Sequence, residues 1–211
     1  MTSADTGRSR VELVATVLLA VATVATAWSG YQSTRWNGEQ AKAGGRANAL
    51  RIESAKAAGL ANTQSGVDVA TFTQWANAYS LRQTELADFY FKRFRPEFRP
   101  AVDAWVATKP LKNPAAPPTP FAMPQYKLAA RAQADQLESQ ANATAALVVR
   151  YIQRSSNYVL AVVLFASALF FAGISTKLTS PRLRVALLAI GCAIFLLTAA
   201  WIATSPVSVS V

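Results

Sequence analysis

Few residues of this 211-residue chain could carry catalytic chemistry. There is no histidine, and the single cysteine, Cys192, lies in an apolar run, where a thiol is poorly placed to ionise. Glu85 and Asp88 are one helical turn apart, but Arg82 and Lys92 flank them, which favours a solvated, compensated face over an acid–base pair. We therefore predict no catalytic residue, no cofactor site and no metal site, and a protein that is not an enzyme.

A second candidate is a run that interleaves aromatic and basic side chains. Residues 89–99 read FYFKRFRPEFR, a composition suited to lipid headgroups or to nucleic acid. No nucleic-acid-binding motif accompanies the net charge of +10, so we expect anionic lipid or a protein partner and no nucleic acid. The alternative is a helix end with core aromatics and solvated cations. The candidate contact residues are Phe89, Tyr90, Lys92, Arg93, Phe94, Arg95 and Arg99.

A third candidate is the polar cluster that follows the first apolar run. Arg35 and Glu39 have the spacing of a pair on one helix face, while Gln32, Trp36 and Gln40 share another face. We expect these residues to pack at the base of a helical bundle. A pocket for a polar ligand is the alternative.

Three apolar runs must position these residues. Residues 13–28, 158–176 and 185–203 are each about as long as a helix needs to be to cross a bilayer, where the backbone must satisfy its own hydrogen bonds. The mean hydropathy of +0.21 agrees with a partly membrane-embedded protein. The first run could instead be a cleaved signal peptide, but the helix-compatible pattern continues beyond Gly30, so we expect a retained span.

Small residues in the first run could form a contact face for another helix. Ala22, Thr26 and Gly30 recur every fourth residue, which would let a neighbouring helix approach closely. A chance outcome of the alanine-rich composition is the other interpretation.

Charged residues beside the spans predict their orientation. Arg8 and Arg10 precede the first span, and Lys177, Arg182 and Arg184 lie in the link between the second and third. Positive residues in short loops stay in the cytoplasm, so the tail and the link should face the cytoplasm and the C-terminus should be outside. The expected interface anchors are Trp28, Tyr31, Tyr158 and Trp201.

The polar insert between the first and second spans has a helical pattern. We expect a helix rich in alanine up to residue 62, a break at residues 64–66, a second helix over 67–94 and a third over 124–157 opened by Pro124. A short helix over 101–107 and a proline-rich strap, residues 109–124, would join the last two. The second helix would return to the membrane and bring residues 89–99 to the lipid headgroups.

The predicted fold class is an all-α membrane protein with three transmembrane helices. A long, alanine-rich antiparallel helical bundle with coiled-coil spacing is inserted between the first and second. The predicted order is a cytoplasmic tail (1–10), transmembrane helix (11–30), extracytoplasmic bundle (31–157), transmembrane helix (158–176), cytoplasmic link (177–184), transmembrane helix (185–203) and tail (204–211).

Three stretches of this chain resemble one group of proteins. They are YQSTRWNGEQ at 31–40, FYFKRFR at 89–95 and YVLAVVLFASALFFAG at 158–173, and they resemble uncharacterised bacterial inner-membrane proteins with three spans. The resemblance covers most of the chain and implies a multi-pass protein of the plasma (inner) membrane. It implies no activity.

We expect a non-enzymatic integral membrane protein that acts as a scaffold or sensor through its helical bundle. Its expected partners are membrane lipids, anionic ones included, and a second copy of itself or another membrane protein. The alternative is a subunit of an oligomeric channel or transporter, although the spans hold no charged residue beyond Glu12 at an edge. A membrane-surface enzyme is least favoured, because no nucleophile–base set is present.

Overall fold

A computed structural model describes residues 3–208, with side chains described from Val11 onward. Its elements are α1 (Ser3–Ser80), α2 (Thr84–Phe91), α3 (Arg99–Ala107), the 3-10 helix Pro120–Ala122, α4 (Ala129–Ser175) and α5 (Pro181–Ala203). No strand occurs within residues 3–208, so the all-helical part of the predicted fold class is confirmed. The side chains of Arg8 and Arg10, and the tail residues 1–2 and 209–211, lie outside the described part.

Helix α1 has no break at residues 64–66, so the predicted interruption there is wrong. A glycine inside a helix costs only about 1 kcal/mol relative to alanine. Ala61 and Asp68, on either side of Gly66, are both completely buried, and their packing holds the helix through the weak point. A glycine without a neighbouring proline is therefore too weak to stop this helix.

The two helices predicted after that break also differ from those observed. In place of one helix over 67–94, α1 runs on to Ser80 and is followed by the short helix α2. The short helix predicted over 101–107 is observed as α3, which begins at Arg99. The third predicted helix begins at Ala129 and not at Pro124. Its expected first turn is replaced by a tight turn in which the Tyr126 N–H donates to the Met123 carbonyl at 3.0 Å.

The chain forms two compact units. The membrane unit comprises Met1–Gly45 together with Thr144–Val211, and the middle unit comprises Arg46–Ala143. Helices α1 and α4 each contribute residues to both units.

Three helices, α1, α4 and α5, are long and apolar enough to cross a membrane. Their most apolar 18-residue windows have mean hydropathies of 1.9, 2.3 and 2.5, and only 17%, 33% and 17% of these windows is buried by the protein. An apolar helix left largely uncovered by protein requires apolar surroundings. These properties are those of a membrane protein.

The membrane unit packs on a seven-residue repeat of small residues in α1. Ala15, Ala22 and Ser29 are completely buried, whereas Thr26 and Gly30 are only partly buried. The contact face therefore has heptad spacing, and of the two interpretations of Ala22, Thr26 and Gly30 the chance outcome of composition describes the structure better. A repeat of 3.5 residues per turn keeps a seam facing its neighbours, whereas a four-residue repeat drifts around the helix.

Helix α5 comes close to α4 at Gly191. A Cβ atom at this position would lie 3.2 Å from the Ala168 carbonyl oxygen and 3.4 Å from the Phe171 Cβ. Leu188, one turn earlier, packs in a buried cluster that includes Ala172. Only a residue without a side chain fits the backbone of α4 here without displacement.

Polar contacts close both ends of the membrane unit. At one end Arg184, which is buried, donates to the Glu12 carboxylate at 3.0 Å. The starts of the first and third apolar segments therefore share one end. At the opposite end the Tyr158 hydroxyl donates to the Pro206 carbonyl at 3.2 Å, and the Ser208 N–H donates to Gln32 Oε1 at 2.9 Å.

In the middle unit, α1 and α4 pack through an alanine seam. Ala47 and Ala61 of α1 and Ala134 and Ala141 of α4 are buried. Ser54 Oγ donates across the seam to the Ala134 carbonyl at 2.9 Å. Small side chains bring the two backbones close enough for this hydrogen bond.

Alanine at two glycine positions should have opposite effects. Gly191→Ala should destabilise the membrane unit by about 1–3 kcal/mol, because the new methyl group overpacks the α4–α5 contact. Gly66→Ala, where a Cβ meets no atom within 4 Å, should stabilise α1 by about 0.5–1 kcal/mol. Thermal unfolding followed by circular dichroism in one detergent should give a lower Tm for the first variant and a higher Tm for the second. An unchanged Tm for Gly191→Ala would contradict the close contact.

Candidate functional site

An aromatic cluster forms the core of the middle unit. Phe98 is completely buried, stacks on Phe121 with ring centres 5.0 Å apart and meets Phe94 edge to face at 5.2 Å. Phe72 and Trp75 of α1 stack at 5.6 Å against the same cluster. The short helices α2 and α3 are thereby fixed to α1 through side chains.

A buried carboxylate lies beside this cluster. Asp68 is completely buried, accepts a hydrogen bond from Arg95 Nε at 3.1 Å and accepts another from the Tyr126 hydroxyl at 3.1 Å. Burial raises the pKa of Tyr126 above 10.0, so its hydroxyl keeps the proton that it donates. The three residues come from α1, the segment after α2 and the segment before α4, and they tie these parts together.

Burial raises the pKa of Asp68 above its ordinary value of 3.8, while Arg95 and the Tyr126 hydroxyl act in the opposite direction. A carboxyl with a higher pKa in the folded than in the unfolded state binds its proton more tightly when folded. Its contribution to stability is therefore complete below about pH 3.8 and is lost as the pH rises through the folded-state pKa.

The variant Asp68→Asn, which is neutral at every pH, should not show this loss. We expect the Tm of the wild type, relative to that of Asp68→Asn, to fall as the pH rises from about 3.5 to 7. Asp135→Asn, at an exposed position of α4, is the control and should follow the wild type at all pH values. Parallel Tm curves for the wild type and Asp68→Asn would contradict the raised pKa.

A cleft opens beside the aromatic cluster. It has a volume of about 840 Å³, and its lining includes Trp75, Tyr79, Ala87, Phe91 and Leu111. A recess of about 410 Å³ shares Trp75, Tyr79 and Leu111 with it and continues along α3. The two spaces therefore share one aromatic wall, where Trp75 and Tyr79 stack with ring centres 5.2 Å apart.

Basic residues stand around this cleft. Arg82 lines the larger space, and Lys109 and Lys112 line the recess. Their side chains form no hydrogen bond or ion pair with the part of the chain whose side chains are described. Arg82 and Lys109 also have positive φ angles of 59° and 54°, a conformation that residues other than glycine adopt uncommonly.

The residues predicted for lipid or partner contact divide into two groups. Phe94 is buried and Tyr90 partly buried in the aromatic cluster, and Arg95 pairs with Asp68. The other four are exposed, and each already has a neighbour. Arg93 lies 3.5 Å from the Phe89 ring centre, Lys92 pairs with Asp88 at 3.0 Å, and Arg99 donates to the Lys92 carbonyl.

The geometric basis for bringing residues 89–99 to lipid headgroups is missing. That prediction required a long second helix, over 67–94, that returns to the membrane. The structure instead holds the segment against α1 through Phe94, Phe98 and the Arg95–Asp68 ion pair. The alternative, a helix end whose aromatic residues belong to the core, describes Phe94 and Phe98 better.

The predicted base cluster lies in the membrane unit. Gln32 and Trp36 are buried, Gln40 is partly buried, and Glu39 accepts a hydrogen bond from Lys42 at 3.0 Å. Arg35 is partly buried on the same helix.

The Trp36 ring packs against neighbours on α4. It lies 5.5 Å from the Tyr151 ring, and the Arg154 guanidinium covers it at 4.5 Å.

Three polar atoms on successive turns of α1 are buried without a hydrogen-bond partner among the described side chains and backbone. They are Ser29 Oγ, Gln32 Nε2 and Trp36 Nε1.

The four predicted interface anchors do not share one environment. Trp28 and Tyr31 are exposed neighbours with ring centres 5.9 Å apart, and Trp201 is 37% exposed. Tyr158 is buried, so it packs inside the membrane unit.

The residues of the cleft are not predicted by the sequence. Tyr79 and Arg82 fall inside the predicted helix over 67–94 and Lys109 falls in the predicted strap, so nothing in the predicted fold brings them together. Gln83 is the one signal that was visible, because it interrupts the apolar pattern just after the point where α1 ends.

No known protein family, curated protein or solved structure matches this chain. Among the described side chains, no group of three histidine, cysteine, aspartate or glutamate residues could hold a metal ion. The function must therefore be argued from the geometry of the two units.

Proposed function

We propose that this chain is a non-enzymatic membrane protein of the bacterial inner membrane that acts as a scaffold or sensor. The observation that carries the proposal is the cleft of the middle unit and the recess that shares its wall. The exposed Tyr79 ring, which stacks on the buried Trp75, lines both spaces, and three cations without an ion-pair partner among the described side chains line one space or the other. A rigid, aromatic-filled core supports that wall. Concave sites with aromatic linings and a few convergent polar groups are the usual form of ligand and partner sites.

The proposal includes an antiparallel arrangement of α1 and α4. In the middle unit Ser54 is bonded to Ala134, and Asn62 further along α1 is bonded to Arg131, which is earlier in α4. Along this contact the residue numbers rise on α1 while they fall on α4, and this supports an antiparallel pair. In the proposed topology, the link 177–184 faces the cytoplasm and the middle unit lies outside.

A channel or transporter subunit is the alternative, and it has weaker support. The inner faces of the membrane unit are lined by Ala15, Ala22, Ala161, Phe165 and Ala168. A transport pathway usually includes polar or charged residues at membrane depth. Here the buried charge of Arg184 and the buried amide of Gln32 belong to the two ends, and the buried polar side chain within the apolar run of α5 is the uncharged Thr198.

Cysteine labelling tests the topology. Ser180→Cys, at the link, and Ala115→Cys, at an exposed position of the strap, are each placed in a Cys192→Ala background. An impermeant thiol reagent added to intact cells should label position 115 and spare position 180, because positively charged short loops stay in the cytoplasm. Both should be labelled after the cells are lysed. Labelling of position 180 alone would reverse the orientation.

Photocrosslinking tests the binding function. A benzophenone amino acid replaces Leu111, which is 83% exposed at the cleft, and in a control variant replaces the exposed Asp135 of α4. After irradiation of native membranes, the intact mass of the purified protein should show a discrete adduct at position 111 and none at position 135. Equal adduct formation at the two positions, or none at either, would contradict the proposal.

A further inference from the structure

We propose that the cleft of the middle unit binds a small amphipathic carboxylate, with a flat or slender apolar body and one anionic end. This inference rests on the proposed function, since it takes the cleft as the binding site, and it adds the chemical class of the ligand. The apolar body lies against Tyr79 and Leu111, and the Tyr79 ring is backed by the buried Trp75. The anionic end lies among Arg82, Lys109 and Lys112.

The size and lining of the cleft match the apolar body. Small-molecule sites have volumes of about 300–1,000 Å³, and the cleft has about 840 Å³. Tyr79 is 54% exposed and Leu111 is 83% exposed, although both line the space. Covering these surfaces removes apolar area from water, which favours binding of an aromatic ring or an acyl chain.

The charges favour an anionic end. Among the described residues lining the cleft and the recess, Asp88 is the one carboxylate, and its partner is Lys92 at 3.0 Å. Glu85 lines an adjoining depression and forms no ion pair with Arg82 in the described structure. The C-terminal ends of α1 and α3 each contribute about half a negative charge, which the three cations more than offset.

The left-handed backbone conformation of Arg82 and Lys109 indicates that these two cations have a role beyond folding. Helix α1 ends in a Schellman motif, in which the Gln83 N–H donates to the Ala78 carbonyl and the Arg82 N–H donates to the Tyr79 carbonyl. Arg82 thus occupies the left-handed position that glycine usually fills. Lys109 occupies the corresponding position after α3, where its N–H donates to the Val106 carbonyl.

Helix stability alone does not explain cations at these two positions. The left-handed conformation is costly for any residue with a Cβ, and attraction to the negative helix end returns only part of that cost. Residues held in strained conformations cluster at ligand-binding sites, where the surrounding structure enforces them. Among the described residues other than glycine, both that have a positive φ are basic, and each lines one of the two spaces that share the wall at Tyr79.

A pair of photoreactive probes tests the ligand class on the full chain in lipid nanodiscs. The first probe is 4-benzoylbenzoate, which carries a carboxylate, and the second is 4-methylbenzophenone, which has a similar apolar body without charge. Labelled peptides are quantified by mass spectrometry. We expect the carboxylate probe to label residues 75–82 and 105–112 about tenfold more than the neutral probe, as several weak ion pairs together would give.

The double variant Arg82→Gly/Lys109→Gly removes two cations and suits the left-handed backbone, so the unit should fold. It should lose most of the labelling by the carboxylate probe and retain labelling by the neutral probe. The double variant Lys56→Gln/Lys127→Gln removes the same charge at exposed positions of the middle unit and should retain both. A Tm within a few degrees of the wild type verifies folding of each variant.

Three results would overturn the inference, and each rejects a different part of it. Equal labelling of the cleft by both probes, unchanged in Arg82→Gly/Lys109→Gly, would reject an anionic ligand and leave the cleft as an apolar site. Absence of cleft labelling by either probe would reject the site itself and the proposed function with it. Loss of carboxylate labelling in Lys56→Gln/Lys127→Gln as well would assign the effect to net charge and reject the role of the two strained cations.

Discussion

Burial of Phe98 is the interaction on which the middle unit depends. Helices α2 and α3 have 8 and 9 residues, fewer than the roughly 12–15 that an isolated helix needs to be even marginally stable in water. Packing of Phe98 between them and α1 therefore supplies what their own hydrogen bonds do not. Removal of a buried phenylalanine side chain costs about 3–5 kcal/mol, comparable to the stability of a small domain. The ion pair of Arg95 and the cleft wall at Trp75 both rely on this packing.

The sequence predicts those parts of the fold that depend only on neighbouring residues along the chain. The second and third apolar runs lie within α4 and α5 because a span must be long, apolar and internally hydrogen-bonded, and each condition is visible in a window of about 20 residues. The alanine seam of Ala47, Ala61 and Ala134 is equally visible, since close helix contact requires small side chains at a fixed period. Because the apolar and small residues recur over many turns, one unfavourable residue such as Gly66 does not change the predicted helix contact.

The candidate site could not be predicted in the same way, because tertiary partners decide it. The composition of residues 89–99 fits lipid headgroups as well as a core, and the sequence does not reveal that Arg95 meets Asp68 across 27 positions. The cleft needs two helix ends, after Ser80 and after Ala107. Pro110 marks the second end, and the sequence predicts it, whereas no glycine or proline follows Ser80 closely. Arg82 and Lys109 take the left-handed conformation after these helices, so glycine marks neither position.

Helix α5 is fastened at both of its ends, and this has a mechanical consequence. Arg184 ties its start to Glu12, while Pro206 and Ser208, just beyond its end, are bonded to Tyr158 and Gln32. A piston stroke of one helical turn, about 5.4 Å, would break these hydrogen bonds at both ends together, and rotation would also drive side chains into the tight contact at Gly191. Glu12 and Gln32 both belong to α1, so a movement that keeps these bonds intact must carry α1 and α5 together as one body.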